Sequence, residues 1–115
     1  MKKVLSLVIA LVLVFSLASV SMASAELTFT TGGTSGTYYA FGNVLAQFIT
    51  NNSDVAVTAV AGNGSADNID KLDLGAAQLG FVQNDVAYYA YNGIRFDQYI
   101  GMPVTSFTAL CALYN

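Results

Sequence analysis

Hydrophobic and polar positions along the chain follow a recurring order of short strand, polar loop and helix. Residues 27–30 alternate apolar and polar side chains, as a half-buried strand does. After a glycine-rich loop, apolar residues recur at the three- and four-residue spacing of a single helix face. They are Phe41, Val44, Leu45, Phe48 and Ile49. The pattern predicts a strand and then an amphipathic helix that ends in the polar run 51–54.

Two further units repeat this order downstream. Residues 55–61 alternate and are rich in β-branched side chains, and a helix is predicted over 65–72 with Ser65 as its cap. A third short strand is predicted over 78–82, and a third helix is predicted over 86–91 before Asn92 and Gly93 stop it. Strands that alternate with helices across short loops predict an α/β fold, with a mostly parallel sheet and flanking helices.

Each predicted strand ends in a polar loop that leads into the next helix. We call these loops the first corner (31–37), the second corner (62–65) and the third corner (83–85). In open sheets of this type, ligands bind outside the carboxyl ends of the strands. All three corners are therefore expected at one edge of the sheet, where a ligand could contact them together.

The amino-terminal segment has the features of a secretory signal peptide. Lys2 and Lys3 precede an apolar run over 4–17, and Ala23 and Ala25 give a small-residue cleavage site. The alternative is an uncleaved anchor, but a spanning helix needs about 20 largely apolar residues. We expect cleavage after Ala25, a periplasmic location and a mature domain over 26–115.

Charge excludes one class of partner. Beyond the predicted cleavage site, the basic side chains are Lys71 and Arg95, against seven acidic ones. Nucleic-acid binding requires clustered Lys and Arg, so we expect no nucleic-acid partner. The chain has no His, the commonest metal ligand, and Cys111 is its single cysteine. We expect Cys111 to pack in an apolar interior, within a strand-like stretch over 105–114.

The first corner carries the strongest chemical signal. Its glycines let the backbone approach a ligand, and the hydroxyls of Thr34, Ser35 and Thr37 lie beside the amides of a helix start, a combination that suits an anion. The alternative is a plain turn in which Ser35 or Thr37 only caps the helix. A nucleotide loop is disfavoured because no Lys follows Gly36, and the glycine spacing does not match the dinucleotide motif.

The other corners offer weaker signals. Ser65 places a hydroxyl at a helix start, but the acidic Asp67 in the opening turn would oppose an anion unless its carboxylate points away. Gln83 and Asp85 mark the third corner. Asp85 could accept a hydrogen bond from an ammonium group or simply cap a helix that begins at Val86.

Three segments together resemble the TAXI family of TRAP-transporter solute receptors: 31–39, 62–68 and 79–88. The resemblance implies a lobe like those of type II periplasmic binding proteins, a small carboxylate or amino acid such as glutamate as ligand, and membrane TRAP subunits as partners. The implied ligand contacts are Thr34, Ser35, Gly36, Tyr38, Ser65, Gln83 and Asp85, to which the residues themselves add Thr37. Ala40 stands where the family commonly has Pro. Because the family is longer, 26–115 is expected to be a truncated first lobe.

The hypothesis is therefore a monomeric solute-binding receptor without a cofactor. An enzyme is disfavoured because no base accompanies the hydroxyls and no Ser lies in a nucleophile-elbow motif. A third class, a non-binding envelope or interaction protein, would fit a single lobe that exposes apolar surface.

Overall fold

The computed structural model describes residues 25–113, so the predicted signal peptide lies outside the described residues except for Ala25. Strands and helices alternate along this part of the chain, which confirms the predicted order. The elements are β1 (Ala25–Thr30), α1 (Thr37–Asn52), β2 (Val55–Val60), α2 (Ser65–Asp73), β3 (Leu79–Gly80) and α3 (Asn84–Asn92).

The sheet has three parallel strands in the order β2-β1-β3. β1 pairs with β2 along its whole length, from Ala25 opposite Val55 to Thr30 opposite Val60. β3 contributes only two residues, of which Gly80 lies opposite Thr30. Because all three strands run the same way, the loops that follow them leave from the same edge of the sheet. The predicted α/β class with a parallel sheet is confirmed.

One core lies between the sheet and α1. Phe29, Val57 and Phe81 from the sheet side are buried with Ala46 of α1. The rings of Phe29 and Phe81 lie 4.6 Å apart and are tilted against each other. Odd-numbered positions of the strands supply this core, as expected because side chains alternate between the two faces of a strand.

The predicted buried face of α1 is partly wrong. Phe41, Val44 and Phe48 are 48%, 65% and 65% exposed, whereas Gly42 and Ala46 are buried. A β-carbon at Gly42 would overlap the side chain of Thr31, so the helix backbone lies directly against the loop. Small residues permit this close approach, and the helix is rotated towards them.

A second core lies between α2, α3 and the segment after α3. Its buried members are Ile69, Val86, Ala90 and Tyr99. α3 ends at Asn92 and is followed by Gly93, whose φ of 66° is the left-handed conformation that glycine tolerates, so the predicted stop is confirmed. Tyr99 was not anticipated from sequence. Its hydroxyl lies 3.1 Å from the Ala66 carbonyl and 3.1 Å from the Asp70 carboxylate.

The predicted burial of the carboxyl-terminal stretch is wrong for its described part. No strand forms over 105–113, Leu110 is 79% exposed, and Cys111 is exposed. Regular backbone pairing ends at Val104, whose N–H donates to the Ala90 carbonyl. Strand-like composition gives a strand only where a neighbouring strand is available, and no described strand lies beside this stretch.

None of the described helices is long and apolar enough to cross a membrane.

We expect Tyr99→Phe to lower the free energy of unfolding at pH 7 by about 1 kcal/mol, because a buried hydroxyl loses its hydrogen bonds. Burial is the main cause that raises the pKa of Tyr99 from 10.0 to about 12. The folded state therefore favours the protonated phenol, and this stabilisation is complete below pH 10 and is lost as the pH rises towards 12. Urea unfolding between pH 8 and pH 11 should show a steeper loss of stability for the unsubstituted chain than for Tyr99→Phe. Parallel curves would contradict the assignment.

Candidate functional site

The three corners meet at the carboxyl edge of the sheet, as the sequence predicts. The Gly62 N–H donates to the Gly32 carbonyl at 3.1 Å and joins the second corner to the first. The Gln83 N–H donates to the Ser65 hydroxyl at 3.0 Å and joins the third corner to the second. Bonds between residues 18 and 30 positions apart in the chain therefore join the three loops.

A buried side chain on α2, which sequence reasoning missed, fixes this arrangement. The Asn68 amide nitrogen donates to the Thr31 carbonyl at 2.6 Å and to the Phe81 carbonyl at 2.8 Å. Its amide oxygen accepts from the Thr30 hydroxyl at 2.7 Å, and the residue is fully buried. We call Asn68, Thr30 and the carbonyls of Thr31 and Phe81 the amide clamp. It ties α2 to the ends of β1 and β3.

The first corner keeps its hydroxyls exposed. Gly36 donates its N–H to the Gly33 carbonyl at 2.8 Å, which closes a tight turn before α1. Thr34, Ser35 and Thr37 are all exposed, and none of their hydroxyls bonds another described residue. The alternative of Ser35 or Thr37 as a side-chain cap is not seen, because the N-cap is Gly36 and has no side-chain hydrogen bond.

Tyr38 lies at the base of the first corner. Its ring is half-buried and packs 5.1 Å from the ring of Phe81. Gly32 lies directly under it, where an added β-carbon would be 3.0 Å from the β-carbon of Tyr38. The tyrosine therefore anchors the loop to the core, and its predicted contact with a ligand stays a prediction.

Ser65 differs from the predicted cap. The N-cap of α2 is Gly64, whose φ of 104° favours glycine, and Ser65 is the first helical residue. The Ser65 side chain is 7% exposed, accepts from the Gln83 N–H and lies 3.4 Å from the Gln83 side-chain oxygen. Its hydroxyl is thus engaged within the chain, and it joins two corners.

Asp67 does not oppose an anion as freely as its position suggests. Its carboxylate accepts from the Asn63 N–H at 2.8 Å and pairs with Lys71 at 2.7 Å. The hydrogen bond from Lys71, and then that from the Asn63 backbone, lower the pKa of Asp67. The charge is therefore neutralised by a neighbour and turned towards its own loop.

The third corner presents an exposed acid. α3 begins at Asn84 with Gln83 as its N-cap, so the expected start at Val86 is wrong by two residues. Asp85 lies in the first turn, and one carboxylate oxygen accepts from the Val86 N–H at 2.9 Å. Its side chain remains exposed to solvent, so it is still available to a cationic group. Gln83 is also exposed, beside Ser65.

Arg95 lies outside the corners. It follows the carboxyl end of α3, and its guanidinium lies 5.2 Å from the centre of the Tyr89 ring. Lys71 pairs with Asp67. Within residues 25–113, no cation is therefore left to bind an anion at the three corners.

A separate open groove lies between α3 and the carboxyl-terminal stretch. Tyr88, Tyr91 and Phe107 supply much of its apolar lining, and Asn84 is its one residue shared with the corners. Of the three described helix starts it borders that of α3, at Asn84, whereas the corners bring the starts of α1, α2 and α3 together. The surface formed by the first, second and third corners, which we call the corner surface, is therefore the better candidate for binding a small polar molecule.

Comparison with known families gives a match to the family described as the NMT1-like family, over residues 29–115. The match extends from the end of β1 through all three corners to the end of the chain. The candidate site therefore lies wholly within it.

We expect Gly62→Ala to damage the amide clamp. The added β-carbon would lie 2.7 Å from the Thr31 carbonyl oxygen and would overlap the Asn68 amide oxygen. Overpacking of this kind costs about 1–3 kcal/mol in the free energy of unfolding, which urea denaturation would measure. Gly33→Ala is the control, because nothing lies within 4 Å of its added carbon. Equal stability of the two variants would contradict the geometry.

Proposed function

The chain belongs to the NMT1-like family, a family of the periplasmic-binding-protein type, and we propose that it is a solute receptor for a small carboxylate or amino acid such as glutamate. The family is one of binding proteins rather than enzymes. In this proposal, the corner surface contacts the solute and the protein delivers it to the membrane subunits of a TRAP-type transporter.

The observation that carries the proposal is the convergence of helix starts without side-chain caps. α1, α2 and α3 begin after Gly36, Gly64 and Gln83, and none of these residues makes a side-chain capping bond. The amino-terminal end of a helix carries partial positive charge and amides that point outwards. The starts of α1 and α2 therefore favour a negatively charged group. At the start of α3, the N–H groups of Asp85 and Val86 already donate to the side-chain oxygens of Asn84 and Asp85.

The side chains around the helix starts favour a ligand with a carboxylate at one end and an ammonium group at the other. The exposed hydroxyls of Thr34, Ser35 and Thr37 lie at the start of α1, where they can donate to a carboxylate together with backbone amides. Hydrogen bonds to a charged group are strong enough to hold it without an Arg. The exposed carboxylate of Asp85 can accept from an ammonium group. An amino acid would satisfy both ends.

The TRAP assignment is the finer part of the proposal. It is supported by the resemblance to TAXI receptors of segments 31–39, 62–68 and 79–88. These segments lie in the three loop-to-helix units of the structure. Gly36 and Gly64 stand at the helix starts in two of these segments. The glycines of the resemblance therefore coincide with positions at which the backbone must turn into a helix.

Isothermal titration of the purified chain with glutamate, glutamine and succinate tests the site. The double variant Ser35→Ala/Thr37→Val should weaken binding of the preferred ligand more than tenfold, because a hydrogen bond to a charged group is worth about 1.5–3 kcal/mol. Thr58→Val removes an exposed hydroxyl from β2, away from the corners, and should leave the affinity unchanged. An affinity unchanged in the double variant would refute the first corner as the contact.

Export is tested separately by mass spectrometry of the periplasmic fraction. We expect a mature protein whose first residue is Glu26, because small residues at 23 and 25 direct cleavage there. Ala23→Leu should retain the leader and the larger mass. Recovery of the unsubstituted chain with residues 1–25 attached would contradict the proposed signal peptide.

A further inference from the structure

The amide clamp holds the backbone at the points where two corners begin. Thr31 is the first residue after β1, and Phe81 is the first residue after β3. Asn68 donates to both carbonyls, at 2.6 and 2.8 Å. A shift of either carbonyl would move the loop that follows it, and with it the start of α1 or α3.

The side chain at position 68 must be an amide of this length. Its nitrogen supplies two donors and its oxygen accepts from the Thr30 hydroxyl. A carboxylate would present oxygens to two carbonyls and would bury a charge, whereas an alanine would leave two buried carbonyls without this donor. Either change carries the cost of an unsatisfied buried polar group.

α2 holds the third corner at two points. Asn68 bonds the Phe81 carbonyl, and one turn earlier the Ser65 hydroxyl accepts from the Gln83 N–H. The same helix holds the first corner through Thr31. Asn68, which is fully buried, therefore fixes the backbone that leads into α1 and α3. The bonds from Gly62 to Gly32 and from Gln83 to Ser65 add to the same arrangement.

We propose that Asn68 is a positioning residue for the corner surface, and that it sets ligand affinity by holding the first and third corners in register rather than by touching the ligand. This inference rests on the proposed function. A site that is organised before binding does not lose affinity to the ordering of its own loops. Thr30 has the same role within the amide clamp. Its hydroxyl donates to the Asn68 amide oxygen and so orients the Asn68 amide nitrogen towards both carbonyls.

The test compares Thr30→Val with Thr30→Ser, which respectively lose and keep the hydroxyl, and adds Asn68→Ala. Ile69→Val is the matched control, because its buried side chain is adjacent on α2 and loses about 1 kcal/mol without touching the clamp. Glutamate affinity is measured by calorimetry and corrected for the folded fraction. Amide hydrogen exchange is followed over 32–36 and 83–86.

We expect Thr30→Val and Asn68→Ala to weaken glutamate binding about tenfold per folded molecule through lost preorganisation, and to speed exchange in both loops. Thr30→Ser and Ile69→Val should stay close to the unsubstituted chain in both measurements. Affinity losses equal to that of Ile69→Val would overturn the inference. If Asn68→Ala fails to fold, the Thr30 pair decides. If the unsubstituted chain does not bind glutamate, the proposed ligand is wrong. Hydrogen exchange then tests the positioning role separately, and an exchange rate that Thr30→Val leaves unchanged in either loop would overturn that role.

Discussion

The buried amide of Asn68 compensates for a weakness in the sheet. β3 is only two residues long, so the ladder that joins it to β1 is short. Gln78 adds bonds at the lower end of the pairing, because its N–H donates to the Thr28 carbonyl and its side-chain oxygen accepts from the Thr28 N–H. At the upper end, Asn68 joins the same two chain segments through the carbonyls of Thr31 and Phe81. Side chains therefore complete a pairing that backbone bonds alone leave short.

A further hydrogen bond connects β2 to the same network. The Thr31 hydroxyl donates to the Val60 carbonyl at 2.7 Å, so the end of β2 is joined to the loop that Asn68 holds. Gly62 then passes so close to the clamp that any β-carbon would collide with it. Within residues 25–113, every buried side-chain nitrogen or oxygen atom has a hydrogen-bond partner. Such a network is rigid, because a small displacement would leave several buried groups without partners.

The sequence was sufficient to predict the order of elements and the convergence of the corners. Both follow from local periodicity and from the direction of parallel strands. The rotation of α1 could not be predicted from periodicity, because Phe41 and Phe48 are far more hydrophobic than Gly42. The absence of a side chain at Gly42 is nevertheless what lets the helix backbone approach Thr31. Cys111 was misassigned because composition does not reveal whether a neighbouring strand exists. For Asn68 a signal was present: Ser65, Asn68 and Ile69 share one helix face, so the amide lies among residues that the fold buries.

The three corners would contribute differently to the proposed site. In the first corner, Thr34, Ser35 and Thr37 keep unbonded, exposed hydroxyls, which suits direct contact. In the second, the Ser65 hydroxyl accepts from the Gln83 N–H, so Ser65 would act by holding the third corner in place. In the third, Asp85 keeps its exposed acid. In the proposed site, donors at one end and an acceptor at the other would favour an amino acid over a simple dicarboxylate, because the second carboxylate of a dicarboxylate would meet Asp85 with like charge. That preference would depend on the spacing of the first and third corners, whose leading carbonyls, those of Thr31 and Phe81, both bond to the buried Asn68 amide.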